Sequence, residues 1–184
     1  MKAGDALRYH WNVHLAGPLA LRWVRWRAER RARGVVNWKS DVLAPPLAIA
    51  PRTKELIGRH FLRGRYANLR GKAAWVTSGA PVEFLKALDY YVFYPENHAA
   101  ICGVMRVAVE MAAEAENAGY SRDLCSYART DIGALLSGKS PAGKLPRPDL
   151  LLACTNICQT VLYWYRVLAH HFGCLLYTSP SPRD

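Results

Sequence analysis

The stretch LLACTNICQTV, residues 151–161, changes its hydrophobic period halfway along. The apolar run DLLLACT at 149–155 predicts a buried strand, and ICQTVLYWYRVLAHHFG at 157–173 predicts a helix. A buried strand that turns directly into a helix is the repeating unit of a parallel α/β sheet. Since sites in such sheets lie at the carboxyl ends of the strands, the turn between the two elements is also a candidate site.

The sequence before this stretch shows the same alternation. Strands are predicted at 73–78 and 90–94, and helices at 80–89, 97–119 and 121–138. We therefore predict an α/β domain with a largely parallel sheet from about residue 70 to 173. Polar turns follow the three strands at Ser78, at 95–98 and at 155–158, and we expect them to meet in one crevice.

The region before this domain is predicted to be basic and mainly helical. Residues 1–72 contain 16 Lys and Arg against 4 Asp and Glu, whereas residues 73–184 contain 9 against 10. Helices are predicted at 18–33 and at 54–71, the second with Thr53 as its N-cap. Such a charge distribution indicates an anionic partner, namely nucleic acid, an acidic protein or a polyanionic cofactor, but a solvated helix face fits equally well.

The composition gives no sign of secretion or of membrane insertion. No apolar run reaches the roughly 18–20 residues that a membrane span needs, and the N-terminus lacks a signal-peptide pattern. We therefore expect a soluble, cytoplasmic protein without a membrane partner. The odd number of cysteines, 5, then favours free thiols or metal ligands over structural disulfides.

The spacing of Cys154 and Cys158 does not by itself identify a metal site. It is C-x-x-x-C rather than the C-x-x-C of zinc ribbons, and buried free cysteines are common in protein cores. Considered from the residues alone, this pair belongs to the core more often than to a ligand set.

The last eleven residues, CLLYTSPSPRD at 174–184, do not continue the pattern. They resemble the translation of a transposase mosaic end and adapter used in sequencing libraries. We therefore expect this tail to pack on nothing and to form no strand, and we expect the natural chain to be cut off after Gly173. The predicted organisation is a basic helical region at 1–70, a truncated α/β lobe at 71–173 and an adapter-derived tail at 174–184.

Four stretches carry a family resemblance. They are WVTSGAPVEFLKAL, YPENHAAICG, GYSRDLCSYARTDIG and PDLLLACTNICQTVLYWYRVLAHHF, which occur in this order between residues 71 and 173. Together they resemble the benzoyl-CoA reductase/2-hydroxyacyl-CoA dehydratase family, which includes the 2-hydroxyglutaryl-CoA dehydratase D-component. The resemblance implies that the α/β segment is the Rossmann-like N-terminal lobe of a longer iron–sulfur subunit.

The resemblance implies roles for four residues. Subunits of this family hold a 4Fe-4S cluster through three cysteines, of which Cys125 in LCSYAR and Cys158 in the TNIC turn would be two, with the third beyond this chain. Ser78 and Glu96 would border the thioester of an acyl-CoA substrate. Ser78 would donate a hydrogen bond to the thioester carbonyl, and Glu96 would exchange a substrate proton. The structural alternatives are a helix N-cap for Ser78 and a first-turn dipole residue for Glu96.

The resemblance also implies a reaction and partners. An ATP-hydrolysing iron–sulfur activator would send one low-potential electron through the cluster to the CoA thioester, giving a ketyl radical. Loss of a hydroxyl group or reduction of an aromatic ring would follow, and a homologous second subunit would complete a heterodimer. The alternatives are a nucleic-acid-binding module built on the basic region, which is the less favoured, and a non-catalytic electron-relay or assembly subunit.

Overall fold

The computed structural model describes residues 3–33 and 47–178, and its contacts divide the chain into two units, Met1–Arg70 and Gly71–Asp184. None of the helices within the described ranges combines the length and the apolar character that crossing a membrane requires.

The first unit is helical, which confirms the helical N-terminal segment. Its elements are α1 (Ala3–His10), a π-helix (Trp11–Ala16), α2 (Gly17–Arg33), α3 (Ala50–Tyr66) and a 3-10 turn (Ala67–Leu69). Helix α3 starts earlier than predicted, because Ile49 is its N-cap and Pro51 occupies the first turn. Thr53 is therefore not the cap, and its hydroxyl donates back to the carbonyl of Ile49 at 3.3 Å.

Helices α2 and α3 pack together around a buried acid. The side chain of Glu55 accepts from Arg25 at 2.9 Å, from Arg52 at 2.8 Å and from Arg59 at 2.6 Å. The approach of the two helices is close at Gly58, where a Cβ would lie 2.9 Å from Leu21. Part of the positive charge of this region therefore faces one carboxylate inside the unit.

The second unit is an α/β domain, as predicted. Its elements are β1 (Ala73–Val76), α4 (Glu83–Ala87), β2 (Tyr91–Phe93), α5 (Pro95–Val104), α6 (Ala108–Asn117), α7 (Ser126–Ser137), β3 (Leu150–Ala153), α8 (Gln159–Phe172) and β4 (Leu175–Thr178). The described strands form one parallel sheet in the order β2-β1-β3-β4. The fold class expected from the strand–helix alternation is thereby confirmed.

The central strands are buried on both faces, which explains why their sequences are continuous apolar runs rather than alternating ones. On one face Ala74, Val76 and Leu152 form a cluster with Leu85 of α4. On the other face the ring of Trp75 packs at a tilt against that of Phe93, with ring centroids 4.5 Å apart. The Trp75 indole N–H also donates to the carbonyl of Pro146 at 2.9 Å, which secures the loop before β3.

The helix predicted at 97–119 is broken into α5 and α6. Arg106 adopts a left-handed conformation with φ 60°, and the N–H of Val107 donates to the carbonyl of Cys102 at 2.9 Å. This is a Schellman ending that uses arginine where glycine is usual, so the pattern gave no stop signal. The break turns α6 against α7, and a Cβ at Gly133 of α7 would lie 1.7 Å from the carbonyl oxygen of Met111 in α6.

The expectation that the tail forms no strand is wrong. Residues 175–178 form β4, in register with β3 from Leu150–Leu175 to Ala153–Thr178. The edge of β3 presents unpaired backbone groups that accept any extended segment, and Gly173, with φ 61°, turns the chain back from α8. Little apolar burial accompanies the pairing, because Leu175 and Tyr177 stay 68% and 56% exposed. The adapter origin of the tail stays a prediction.

Candidate functional site

The site region lies where β1 and β3 end side by side. The N–H of Thr77 donates to the carbonyl of Leu152 at 3.1 Å, and the N–H of Cys154 donates to the Thr77 hydroxyl at 2.9 Å. From β1 the chain passes to β2 on one side and then returns to β3 on the other side, so the order in which strands are added to the sheet reverses between β1 and β3. That point is where parallel α/β sheets open a crevice for a ligand.

The TSG turn after β1 and the TNIC turn after β3 lie next to each other at this edge of the sheet. A Cβ at Gly79 would lie 4.0 Å from the side chain of Ile157. Ser78 therefore lies one residue from this contact on one side, and Cys158 lies one residue from it on the other.

Ser78 and Glu96 are joined directly. The backbone N–H of Ser78 donates to Oε1 of Glu96 at 3.2 Å. Ser78 is an exposed turn residue, and it caps no helix, because α4 begins at Glu83 with Val82 as its N-cap. Glu96 occupies the first turn of α5 after Pro95, where a negative charge interacts favourably with the helix dipole. The same side chain also accepts the hydrogen bond from Ser78.

The Glu96 carboxyl holds its proton more tightly than an ordinary glutamate. Burial raises its pKa, and the nearby Asp131 charge raises it further. The N–H groups of Glu96 itself and of Ser78 oppose the shift but do not cancel it. A carboxyl in this condition can act as a proton donor nearer to neutral pH than a free side chain could.

Cys125 and Cys158 occupy equivalent places on two neighbouring helices. Each is the N-cap residue, of α7 and α8 respectively, and each thiol is free and exposed. Neither side chain accepts a capping hydrogen bond from its own helix. By contrast, Cys102 and Cys154 are buried among the core residues.

The donor chemistry at the two N-caps fits an iron–sulfur cluster in part. Two exposed thiols at positive helix ends are the ligand type that such clusters use. Within residues 3–33 and 47–178, no group of three or more His, Cys, Asp or Glu side chains is placed to hold a metal ion. The chain thus offers two ligands of the right kind and not a full set.

Arg129 secures the turn that carries Cys125. Its Nε donates to the carbonyl of Leu124 at 3.1 Å, and its guanidinium also binds Glu116. The arginine therefore fixes the backbone next to the thiol, through a contact that joins α6, α7 and the turn between them.

His98 has a buried acidic partner that the sequence did not indicate. Its Nδ1 lies 2.8 Å from Oδ1 of Asp131, and its Nε2 lies 2.9 Å from the hydroxyl of Ser140. Burial lowers the pKa of His98, but the bond to Asp131 and the contact with Cys102 together raise it to about 9. Burial has the opposite effect on Asp131 and raises its pKa. The His98–Asp131 pair therefore keeps a proton at neutral pH. No local pattern connects residues 33 positions apart.

Known proteins resemble the part of the chain that carries these residues. The family model described as 2-hydroxyglutaryl-CoA dehydratase, D-component, matches residues 77–184, which include all four candidate residues.

Three relatives illustrate the range of similar proteins. The chain is 40% identical over 137 residues to the (R)-2-hydroxyisocaproyl-CoA dehydratase alpha subunit of Clostridioides difficile, covering 74% of this chain and 30% of the relative. It is 39% identical over 120 residues to the lactoyl-CoA dehydratase alpha subunit of Anaerotignum propionicum, covering 57% and 28%. It is 35% identical over 94 residues to a subunit of the benzoyl-CoA reductase of Thauera aromatica, covering 50% and 22%.

The chain thus spans about a third or less of the length of the curated relatives that it matches. The match nevertheless extends over more than half of this chain and includes the strand-end turns that form the crevice. The chain therefore belongs to the 2-hydroxyglutaryl-CoA dehydratase D-component family.

Proposed function

We propose that this chain is the N-terminal lobe of an acyl-CoA dehydratase or reductase subunit, and that its crevice borders a CoA thioester. The observation that carries the proposal is the hydrogen bond between Ser78 and Glu96, which joins the turn after β1 to the helix after β2. It holds a hydroxyl-bearing turn and a carboxyl group of raised pKa together, next to the TNIC turn. Relatives named as dehydratase and reductase subunits support the reaction class.

In this proposal Ser78 and Glu96 act on the substrate itself. The Ser78 hydroxyl donates to the thioester carbonyl and stabilises the negative charge that builds on its oxygen. Glu96 exchanges a proton with the acyl group, and its raised pKa makes it a better proton donor than an ordinary glutamate would be at the same pH. The Ser78 amide keeps one carboxyl oxygen of Glu96 in place, so the two groups present a constant spacing to the substrate.

Cys125 and Cys158 would hold a 4Fe-4S cluster together with a third cysteine from the rest of a full-length subunit. When bound, the cluster would supply single electrons at low potential. The helix N-termini behind both thiols would stabilise the thiolates and offset part of the cluster's negative charge. Electrons would come from an ATP-hydrolysing iron–sulfur activator, and a homologous second subunit would complete the enzyme.

The decisive experiment uses the full-length subunit that contains this lobe, together with its partner subunit. Cys125→Ala and Cys158→Ala should each abolish the cluster's visible absorption and the activity. Cys154→Ala is the matched control, since this thiol lies in the core, and it should keep both. A cluster that survives Cys158→Ala would contradict the ligand assignment.

The same enzyme separates substrate chemistry from cluster binding. Ser78→Ala and Glu96→Gln should leave the absorption intact and lower kcat by about 10²–10³-fold, the usual effect of removing an oxyanion donor or a general acid. Normal turnover in both variants would refute the roles of these residues. The first dehydratase relative matches a larger share of the chain than the reductase relative does, 74% against 50%, so we expect dehydration of a 2-hydroxyacyl-CoA.

A further inference from the structure

A row of large apolar side chains is exposed along α1, the π-helix and α2. Its members are between 46% and 72% exposed, and they are Leu7, Trp11, Leu15, Leu19, Trp23 and Trp26. At 1.5 Å per residue this apolar row is about 28 Å long. Single exposed apolar residues are common on protein surfaces, but a contiguous row of this length marks an interaction surface.

The π-helix helps to keep the apolar row continuous. Its first five members are four residues apart, and in an α-helix of 3.6 residues per turn each such step advances by about 40° around the axis. The turns of the π-helix, Trp11–Ala16, are wider and hold more than four residues, so the same step there falls short of a full turn. The π-helix therefore offsets part of the drift that the flanking α-helices produce.

The opposite side of α2 is already occupied within its own unit. A Cβ at Gly17 would collide with the side chain of Leu62 in α3, so the two helices are in close contact there. Further along, Arg25 binds the buried carboxylate of Glu55 at 2.9 Å. Helix α2 thus packs on α3 with one side and presents the apolar row on the other.

Within α2 the apolar row is narrow and has an arginine on each side. At about 100° per residue, Leu19, Trp23 and Trp26 fall within about 60° of the helix circumference. Arg22 lies about 40° beyond one edge of this sector, and Arg27 lies about 40° beyond the other. Among the residues that the structure describes, neither arginine pairs with a carboxylate.

Two of the exposed tryptophans have a guanidinium group over their rings. Arg27 lies 4.6 Å from the ring centroid of Trp23, and Arg30 lies 4.0 Å from that of Trp26. A guanidinium stacked on a ring keeps its N–H donors at the edge of its plane, where they are available to a carboxylate. The apolar row therefore combines a hydrophobic surface with cationic hydrogen-bond donors.

The width and the charge of the apolar row fit an α-helix of opposite charge. The spacing of Leu19, Trp23 and Trp26 is i, i+4, i+7, and a narrow apolar seam between charged residues is the surface by which helices pair. A second copy of this chain would bring arginines against arginines. A lipid surface fits less well, because the apolar face of a membrane-binding helix is broader than this seam.

We propose that the apolar row docks an amphipathic helix of a partner protein, in which acidic residues flank the apolar ones. The apolar side chains of that helix pack on Leu19, Trp23 and Trp26, and its carboxylates bind Arg22 and Arg27. The surface lies in the unit Met1–Arg70 and contains none of the candidate residues of the α/β unit, so this inference is independent of the proposed function.

The first test titrates the 184-residue chain with two synthetic helical peptides of about three heptads each. Both peptides carry leucine at positions a and d, and they differ only in having glutamate or lysine at positions e and g. Calorimetry should show binding of the glutamate peptide that weakens as salt is added, and no binding of the lysine peptide. Equal binding of both peptides, or binding of neither, overturns the proposal.

The second test changes the two chemical components of the surface separately. Arg22→Glu combined with Arg27→Glu should reverse the preference, so that the lysine peptide binds and the glutamate peptide does not. Trp23→Ser combined with Trp26→Ser should weaken binding of the glutamate peptide by about tenfold or more, as the loss of central aromatic residues does. A preference for the glutamate peptide that survives the charge reversal overturns the docking surface.

Val109→Ser is the matched control for the apolar substitutions. Val109 is 84% exposed on α6, outside the apolar row, so its replacement should leave peptide binding unchanged. Circular dichroism checks that each variant keeps its helices. Should a variant not fold, the selectivity of the unmodified chain between the two peptides decides.

Vesicles of phosphatidylglycerol distinguish a helix from a lipid surface as the partner. We expect the unmodified chain to bind the glutamate peptide and to remain in the supernatant when the vesicles are sedimented. A chain that sediments with the vesicles and does not bind the peptide has an anionic lipid surface as its partner, and the proposal is then wrong.

Discussion

The backbone N–H of Ser78 and the carboxylate of Glu96 meet at 3.2 Å. The two residues follow neighbouring parallel strands, β1 and β2, so the bond ties the turn after one strand to the helix after the other. This contact holds the carboxyl ends of β1 and β2 side by side, so that the segments that follow them form one continuous surface.

The first prediction concerns the pH dependence that Glu96 gives to stability. Its folded-state pKa is raised above the ordinary value, so the native state holds the proton more tightly than the unfolded state does. Glu96 therefore destabilises the fold as pH rises from its unfolded pKa through its folded pKa. Glu96→Gln should gain stability relative to the natural chain over that range, as measured by urea unfolding at a series of pH values. A stability difference that does not vary with pH would contradict the shift.

The second prediction concerns the buried pair of His98 and Asp131. Asp131→Ala leaves a buried imidazole without its carboxylate and should destabilise the α/β unit by about 3–5 kcal/mol, the usual cost of breaking a buried pair. Asp123→Ala, at an exposed site just before α7, is the control and should cost less than about 0.5 kcal/mol. Urea unfolding followed by tryptophan fluorescence measures both. Equal costs would mean that the pair contributes nothing.

The third prediction concerns the loss of stability at alkaline pH that follows from the His98–Asp131 pair. The pKa of His98 is about 9 in the folded state and near 6.5 in the unfolded chain. The stabilisation is therefore fully present below about pH 6.5 and is lost as pH rises through 9. His98→Gln should remove this loss, so that its free energy of unfolding is flat over the same interval. A natural chain that is equally stable at about pH 6.5 and about pH 9.5 would disprove the assignment.

The fourth prediction concerns Glu55 in the helical unit. Burial by itself raises the pKa of Glu55, but Arg52, Arg59 and Arg25 outweigh it and lower the pKa below the ordinary value. The stabilisation is thus present above the unfolded pKa and is lost as pH falls through the folded one. Glu55→Gln should speed hydrogen exchange of the α3 amides at neutral pH.

Glu29→Gln is the matched control for Glu55. Glu29 contacts Arg25 at 3.4 Å from a side chain that is 37% exposed, whereas the Glu55 side chain has no exposed surface. We expect Glu29→Gln to leave the exchange of α3 nearly unchanged, because exposed ion pairs contribute little. Equal acceleration of hydrogen exchange in both variants would show that the three arginine pairs of Glu55 stabilise α3 no more than the single pair of Glu29 does.

The fifth prediction concerns the tail. Ending the chain at Gly173 should leave α8 and strands β1 to β3 folded, because β4 adds backbone pairing at an edge and little apolar burial. Hydrogen exchange should rise in β3, whose outer edge becomes free, and stay unchanged in β1, which is paired on both sides. Loss of the folded unit on truncation would show that β4 is part of the core. Recovery of the same eleven residues from an independently cloned gene would disprove their adapter origin.

Much of the fold could be predicted because the central strands and main helices carry local signals. The runs at 73–76 and 150–153 are continuously apolar and lie between turn residues, which is the pattern of a strand buried on both faces. The candidate residues Ser78, Glu96 and Cys158 could be placed at strand ends for the same reason. The break at Arg106 could not be predicted, since a left-handed ending on arginine leaves no compositional mark.

The sequence by itself determined the central strands, and with them the parallel sheet, because burial on both faces demands a hydrophobic run in β1 and β3. The helix break at Arg106 and the pairing of β4 lay outside that local pattern. Only the tertiary structure decided which distant polar groups meet. His98 finds Asp131 across 33 positions, and Glu96 shares its environment with Asp131 and Tyr165, because α5, α7 and α8 carry them there. Desolvation and pairing are properties of a place in the folded chain, so the proton affinities of these groups arise only on folding.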